Sequence, residues 1–143
     1  MSVQAVLLPV FAQVALTFAL LIRLGLMRTG LVRSGAVKVR DIVLGQKAWP
    51  ERATQTGNCF DNQFQIPVLF YVLTALALIT RKADLLFVVL AWVFVMTRLV
   101  HAGIHTGSNR LSQRFYAYAA GVAVLLLMWV IFALDILTTA VTP

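Results

Sequence analysis

Followed position by position, the chain divides into four long apolar stretches separated by three polar links of very different length. The first stretch covers 3–22 and is interrupted only by Gln4, Pro9, Gln13 and Thr17. The second covers 62–80 around IPVLFYVLTALALIT, the third 84–104 around LLFVVLAWVFVMTRLV, and the fourth 114–139 around GVAVLLLMWVIFALDILTTA. Each is close to the roughly 20 residues that cross a bilayer as helix. In lipid a helix satisfies every backbone group within its own segment, so it is the form a lone span must take. The pattern predicts an all-α integral membrane fold: four transmembrane helices forming one bundle, as a single domain over 1–143.

The links fix the order of the helices. Arg81, Lys82, Ala83 and Asp84 form a tight connection, which makes the second and third helices antiparallel neighbours. The link 23–63 carries Arg23, Arg28, Arg33, Lys38, Arg40, Lys47 and Arg52 against Asp41, Glu51 and Asp61. Glycines at 25, 30, 35 and 45 lead us to expect an irregular loop there. The third link carries Arg110 and Arg114, with Arg98 just before it. With four spans, the two basic links share one side of the membrane, and the short turn and both termini share the other. The positive-inside rule then predicts a cytoplasmic site end and both termini on the non-cytoplasmic side. The opening MSVQAVLLPVFAQ has no basic n-region, so the first stretch is expected to stay as a span.

Composition narrows the partners. Hydrophobic residues make up 61% of the chain and charged ones 12%, against roughly 45–50% and 25% in soluble domains. The formal charge of +7 is therefore read as orientation and contact with anionic lipid, not as a nucleic-acid surface. Cys59 is the only cysteine, which excludes an intrachain disulfide and a Cys-rich metal site. It reads as a small space-filler ahead of a nucleophile.

The ionisable groups then stand out by spacing. TRLVHAGIHTGSNRLSQRFYAY, at 97–118, holds both histidines. Arg98, His101 and His105 fall at i, i+3 and i+7, and Arg110, Arg114 and Tyr118 at i, i+4 and i+8, so each trio shares a helix face. Asn58, Asp61, Asn62 and Gln65 make a carboxylate and amide stripe entering the second span. Polar groups cost several kcal/mol against lipid, so all three faces are expected to turn inward and meet at one end of the bundle. Residue by residue, plainer roles compete: Arg98 and Arg114 snorkelling to headgroups, the amides as interhelical glue. His101, His105 and Asp61 resemble a metal set, but Arg98 and Arg114 beside them oppose a cation, and the expectation is no metal.

These residues resemble the MAPEG family, membrane-associated proteins of eicosanoid and glutathione metabolism. The resemblance covers all four spans and rests on Asn58-x-x-Asp61-Asn62, Arg98-x-x-His101 and Arg114. RLVHAGIHTGSNRLSQRFYAY is similar in spacing to the prostaglandin E synthase and microsomal glutathione transferase branch, and NQFQIPVLFY to bacterial members. Asp61 stands where the family usually has Glu, His105 where it has Tyr, and Phe115 where it has Ser. The resemblance implies a homotrimer binding glutathione between neighbouring subunits as thiol cosubstrate. It implies Arg114 as the group that stabilises the thiolate, with His101, His105 and Tyr118 lining the pocket. It gives Asn58, Asp61 and Asn62 the peptide groups, Arg98 and Arg110 the carboxylates, and Arg33 a supporting basic role.

The chemistry of Arg114 stands on its own terms. A free thiol has a pKa of roughly 8.5, so little of it is thiolate at neutral pH. A fixed guanidinium in a partly dry site favours the anion without losing a proton itself. The leading expectation is a glutathione-dependent transferase or peroxidase acting on lipophilic electrophiles that arrive through the lipid. The rival is a non-catalytic bundle binding lipid or partner proteins.

Overall fold

The computed structural model describes residues 1–45 and 48–138. Lys47 of the basic link and Thr139, the expected last residue of the fourth span, lie outside the described residues. The helices are α1 (Val3–Arg33), α2 (Glu51–Asp61), α3 (Ile66–Ile79), α4 (Leu85–Thr106) and α5 (Leu111–Thr138). Short 3-10 turns occupy Val39–Asp41 and Asn62–Phe64. α2, the second 3-10 turn and α3 run on as one segment, Glu51–Ile79, giving four segments long and apolar enough to cross a membrane. No strand occurs among the described residues.

The loop expected over 23–63 is largely helix. α1 continues past Ile22 to Arg33, because Arg, Leu and Met are strong helix formers and outweigh Gly25 and Gly30. At 31 residues it is about 46 Å long, longer than the ~30 Å hydrocarbon layer. Its end is set at Gly35, which takes φ +74°, the left-handed cap that glycine adopts without penalty. The Gly35 N–H donates to Val32 O, and Val37 N–H to Leu31 O. α2 likewise starts eleven residues before the expected span.

Pro67 breaks the second segment. It has no N–H to give to the carbonyl four residues back, and its ring crowds that carbonyl. The chain responds with the tighter 3-10 turn at Asn62–Phe64 and a break at Gln65 (φ −102°, ψ −104°) before α3 starts. Asn62 and Gln65 thereby face one side, and Gln63 the opposite side, where its Oε1 accepts from Gln13 Nε2 at 2.9 Å.

α4 is the most enclosed helix. Phe87, Val88, Ala91, Phe94 and Val95 pack with Phe70, Leu73 and Ala77 of α3 and with Leu125 and Met128 of α5. The Phe70 and Phe94 rings stack at 4.8 Å. α4 and α5 close tightly at Gly121, where a Cβ would stand 2.8 Å from Thr97 Oγ1. The Met1 ammonium approaches the Ala83 carbonyl at 3.5 Å, so the N-terminus and the 81–84 turn lie at one end (the turn end). The connections 34–50 and 107–110 lie at the other.

Candidate functional site

The end away from the turn carries the ionisable groups. A cavity of about 460 Å³, open on one side, is lined by Asn58, Asp61, Asn62 and Gln65 from the second segment. His101 and His105 of α4, and Leu111, Arg114, Phe115 and Tyr118 of α5, complete it. The stripe read at i, i+3, i+4 and i+7 thus stays on one face through the break at Gln65, since the 3-10 turn keeps Asn62 and Gln65 on the α2 side that meets α4 and α5.

His101 and His105 are buried, with rings 5.4 Å apart edge to face. The His101 ring lies 5.7 Å from that of Tyr118. Gln55 on α2 donates through Nε2 to the His105 and Gly107 carbonyls, satisfying acceptors that a helix C-terminus leaves open. Arg114 Nη1 donates to Asn109 Oδ1 at 2.6 Å, which holds the guanidinium at the cavity wall.

Arg98 does not line the cavity. It is fully buried behind the wall, where Nη2 donates to Asn62 Oδ1 at 2.9 Å and its guanidinium carbon lies 5.6 Å from the Tyr118 ring centre. It reaches the site through Asn62. Arg110 is exposed and precedes α5. Of the expected Arg110, Arg114 and Tyr118 face, only Arg114 and Tyr118 are on α5; Arg110 stands just outside it, its carbonyl accepting from the Arg114 N–H. Arg33 is exposed at the end of α1 and contributes nothing to the cavity of its own chain. Cys59 is buried against Leu20 and Ala102, in a packing position.

Gln55 and Leu111 were not singled out from the sequence, and Asn109 reads there only as part of the turn joining the third and fourth spans. Asn109 carried a signal: Asn tolerates the left-handed backbone, and it stands at φ +49° in the turn. Gln55 lies off the Asn58 stripe, and nothing in its spacing marks it. Among the described residues no group of three or more His, Cys, Asp or Glu is arranged to hold a metal ion.

The MAPEG family model matches residues 6–134. Comparison with curated proteins returns no match, nor does comparison with solved structures. The match spans all four membrane segments and every residue of the cavity, so the chain belongs to the MAPEG family and is an integral membrane four-helix bundle.

Proposed function

We propose that the protein is a membrane-embedded, glutathione-dependent transferase or peroxidase acting on lipophilic electrophiles. One observation carries the reading: Arg114 shares a cavity with the carboxylate and amide face of Asn58, Asp61, Asn62 and Gln65 at one end of the bundle. Its volume lies within the usual range for small-molecule sites, roughly 300–1,000 Å³. In this reading Asn58, Asp61 and Asn62 hold the amino and amide groups of glutathione, and Arg98 fixes Asn62 from behind. His101, His105 and Tyr118 wall the side where the sulfur lies.

Arg114 holds the sulfur as thiolate while its proton passes to water at the open face. The sulfur then attacks the electrophilic carbon, and the leaving group departs with its bonding pair. With a hydroperoxide, the sulfur attacks the outer oxygen, the O–O bond breaks and the alcohol leaves; the thiol of a second glutathione then attacks the sulfenate sulfur, the S–O bond breaks, and disulfide and hydroxide result.

Glutathione has two carboxylates beside its thiol, yet among the described residues Arg114 is the only Lys or Arg lining the cavity of one chain. A homotrimer meets this shortfall: Arg110 at the rim and Arg33 of a neighbouring subunit supply the cations. The skew of basic residues supports a reading with this end facing the cytoplasm and both termini outside. Within the family the spacing at 97–118 favours the glutathione transferase and prostaglandin E synthase branch.

Purified protein should turn over a chromogenic aryl halide only with glutathione and run as a trimer in native mass spectrometry. A folded protein without turnover would leave the lipid- or partner-binding reading ahead. An impermeant thiol reagent applied from outside should modify a cysteine placed at Ala83 and leave one placed at Ser108 untouched; the reverse would invert the orientation.

A further inference from the structure

An arginine at a membrane edge ordinarily extends toward the headgroups, yet Arg114 lies along the cavity. The turn between α4 and α5 accounts for this. Asn109 stands at φ +49°, a conformation that Asn tolerates and most side chains do not. Its backbone N–H donates to Ile104 O at 2.8 Å and closes the end of α4. Its side-chain Oδ1 accepts from Arg114 Nη1 at 2.6 Å. The turn is tied to α2 as well, through Gln55 Nε2 on the His105 and Gly107 carbonyls. Asn109 does not line the cavity, and Arg114 does.

We propose that Asn109 is the positioning residue that aims Arg114 into the cavity, one side chain forming the turn and fixing the guanidinium. The bond occupies a single N–H of the planar fork, and the others stay available to an anion. A flexible arginine would instead have to be ordered each time a thiolate formed, so the contact acts on the chemical step more than on capture of the tripeptide. This consequence rests on the proposed thiol chemistry; the contact itself does not.

Two substitutions separate positioning from turn-making. Asn109→Gly keeps the left-handed backbone and deletes the acceptor, while Asn109→Asp keeps both. With glutathione and an aryl halide, Asn109→Gly should lower kcat about 10-fold, the scale of one hydrogen bond to a charged group. KM for glutathione should move less, and the ultraviolet absorbance of bound thiolate should fall. Asn109→Asp should restore both. Wild-type kcat and thiolate absorbance in Asn109→Gly would overturn the proposal and leave Asn109 a turn residue.

If the wild type itself gives no thiolate signal, the functional reading fails by itself, and thermal unfolding decides the contact. Non-additive Tm shifts for Asn109→Gly, Arg114→Ala and the double variant support it. Additive shifts overturn it.

Discussion

At the turn end, α4 meets its neighbours through Phe87, Val88, Ala91, Phe94 and Val95, all against apolar partners. Less than one helical turn on, the same helix begins to bury polar groups, with Arg98, His101 and His105. The two halves share a helix and a lipid surround, so the contrast between them isolates what the polar half is for. In lipid, apolar packing draws no hydrophobic driving force between helices; close contact and hydrogen bonds hold them together. The turn end uses contact, as in the Phe70–Phe94 stack. The site end uses hydrogen bonds and leaves several groups without a hydrogen-bond partner among the described residues: Arg98 Nε and Nη1 and the Nδ1 atoms of His101 and His105, against Trp129 Nε1 in the packing half. A charged side chain at mid-membrane costs about 3 kcal/mol on insertion scales. A bundle optimised for stability alone would repeat the turn end along its whole length.

The largest effect should come from Arg114→Ala. Loss of one positioned electrostatic stabiliser lowers turnover about 10²–10³-fold. Thiolate absorbance on adding glutathione should vanish while the assembly is kept, and the unfolding temperature should fall only by what the hydrogen bond to Asn109 contributes. Arg114→Lys should recover only part, because an ammonium lacks the planar fork that meets Asn109 and an anion together. Full activity in Arg114→Lys would reduce Arg114 to a snorkelling residue and erase the functional difference between the two ends.

Phe94→Ala probes the packing half. Phe94 is fully buried, and truncating a buried Phe costs about 3 kcal/mol, here as lost contact and a cavity. Unfolding in mixed detergent should shift accordingly, with turnover per folded molecule unchanged. A variant of normal stability but altered turnover would show that the two halves are coupled along α4.

Gly121→Ala tests the seam between them. The added Cβ would meet Thr97 Oγ1 at 2.8 Å, and Thr97 already donates that hydroxyl to Phe94 O. Relief requires moving α5 or breaking that bond, at about 1–2 kcal/mol. Tyr118 lies three residues away on α5 and His101 four residues beyond Thr97, so turnover should fall modestly as well. A stability loss with no change in turnover would show that the Tyr118–His101 approach is insensitive to helix spacing.

Helix-scale features were legible in the sequence, because apolar length and basic links are properties of the chain itself. The stripe of Asn58, Asp61, Asn62 and Gln65 was legible for the same reason, since spacing alone puts these residues on one face. What could not be read depends on geometry between segments. Gln13 stood out as a polar break in an apolar run, but its partner Gln63 is turned away from the stripe by the break at Pro67. Arg98 shared a face with His101 and His105, yet its place behind Asn62 follows from the depth at which α4 packs. The helix over 23–33 was hidden by two glycines that cost less than the surrounding Arg, Leu and Met supply. The period alone fits Arg110 as helical, but the left-handed Asn109 puts the start of α5 at Leu111.

The smallest effect is expected where charge sits at the turn end. Lys82 Nζ and Asp135 Oδ1 form an ion pair at 3.1 Å, with side chains 25% and 45% exposed. Partly exposed pairs contribute about 0–1 kcal/mol, because water already solvates both partners and ordering two side chains offsets the attraction. Lys82→Met removes the charge and keeps an unbranched stem of similar length against Asp135. Unfolding should shift by about 0.5 kcal/mol, with turnover and thiolate absorbance unaltered. The contrast with Arg114 is then one of surroundings and not of charge: each is a cation near a membrane edge, but Arg114 opens on a cavity with amides and imidazoles, and Lys82 meets a carboxylate beside water. A loss of turnover in Lys82→Met with stability intact would mean that the turn end communicates with the site, and the division of the bundle into a packing half and a chemical half would have to be abandoned.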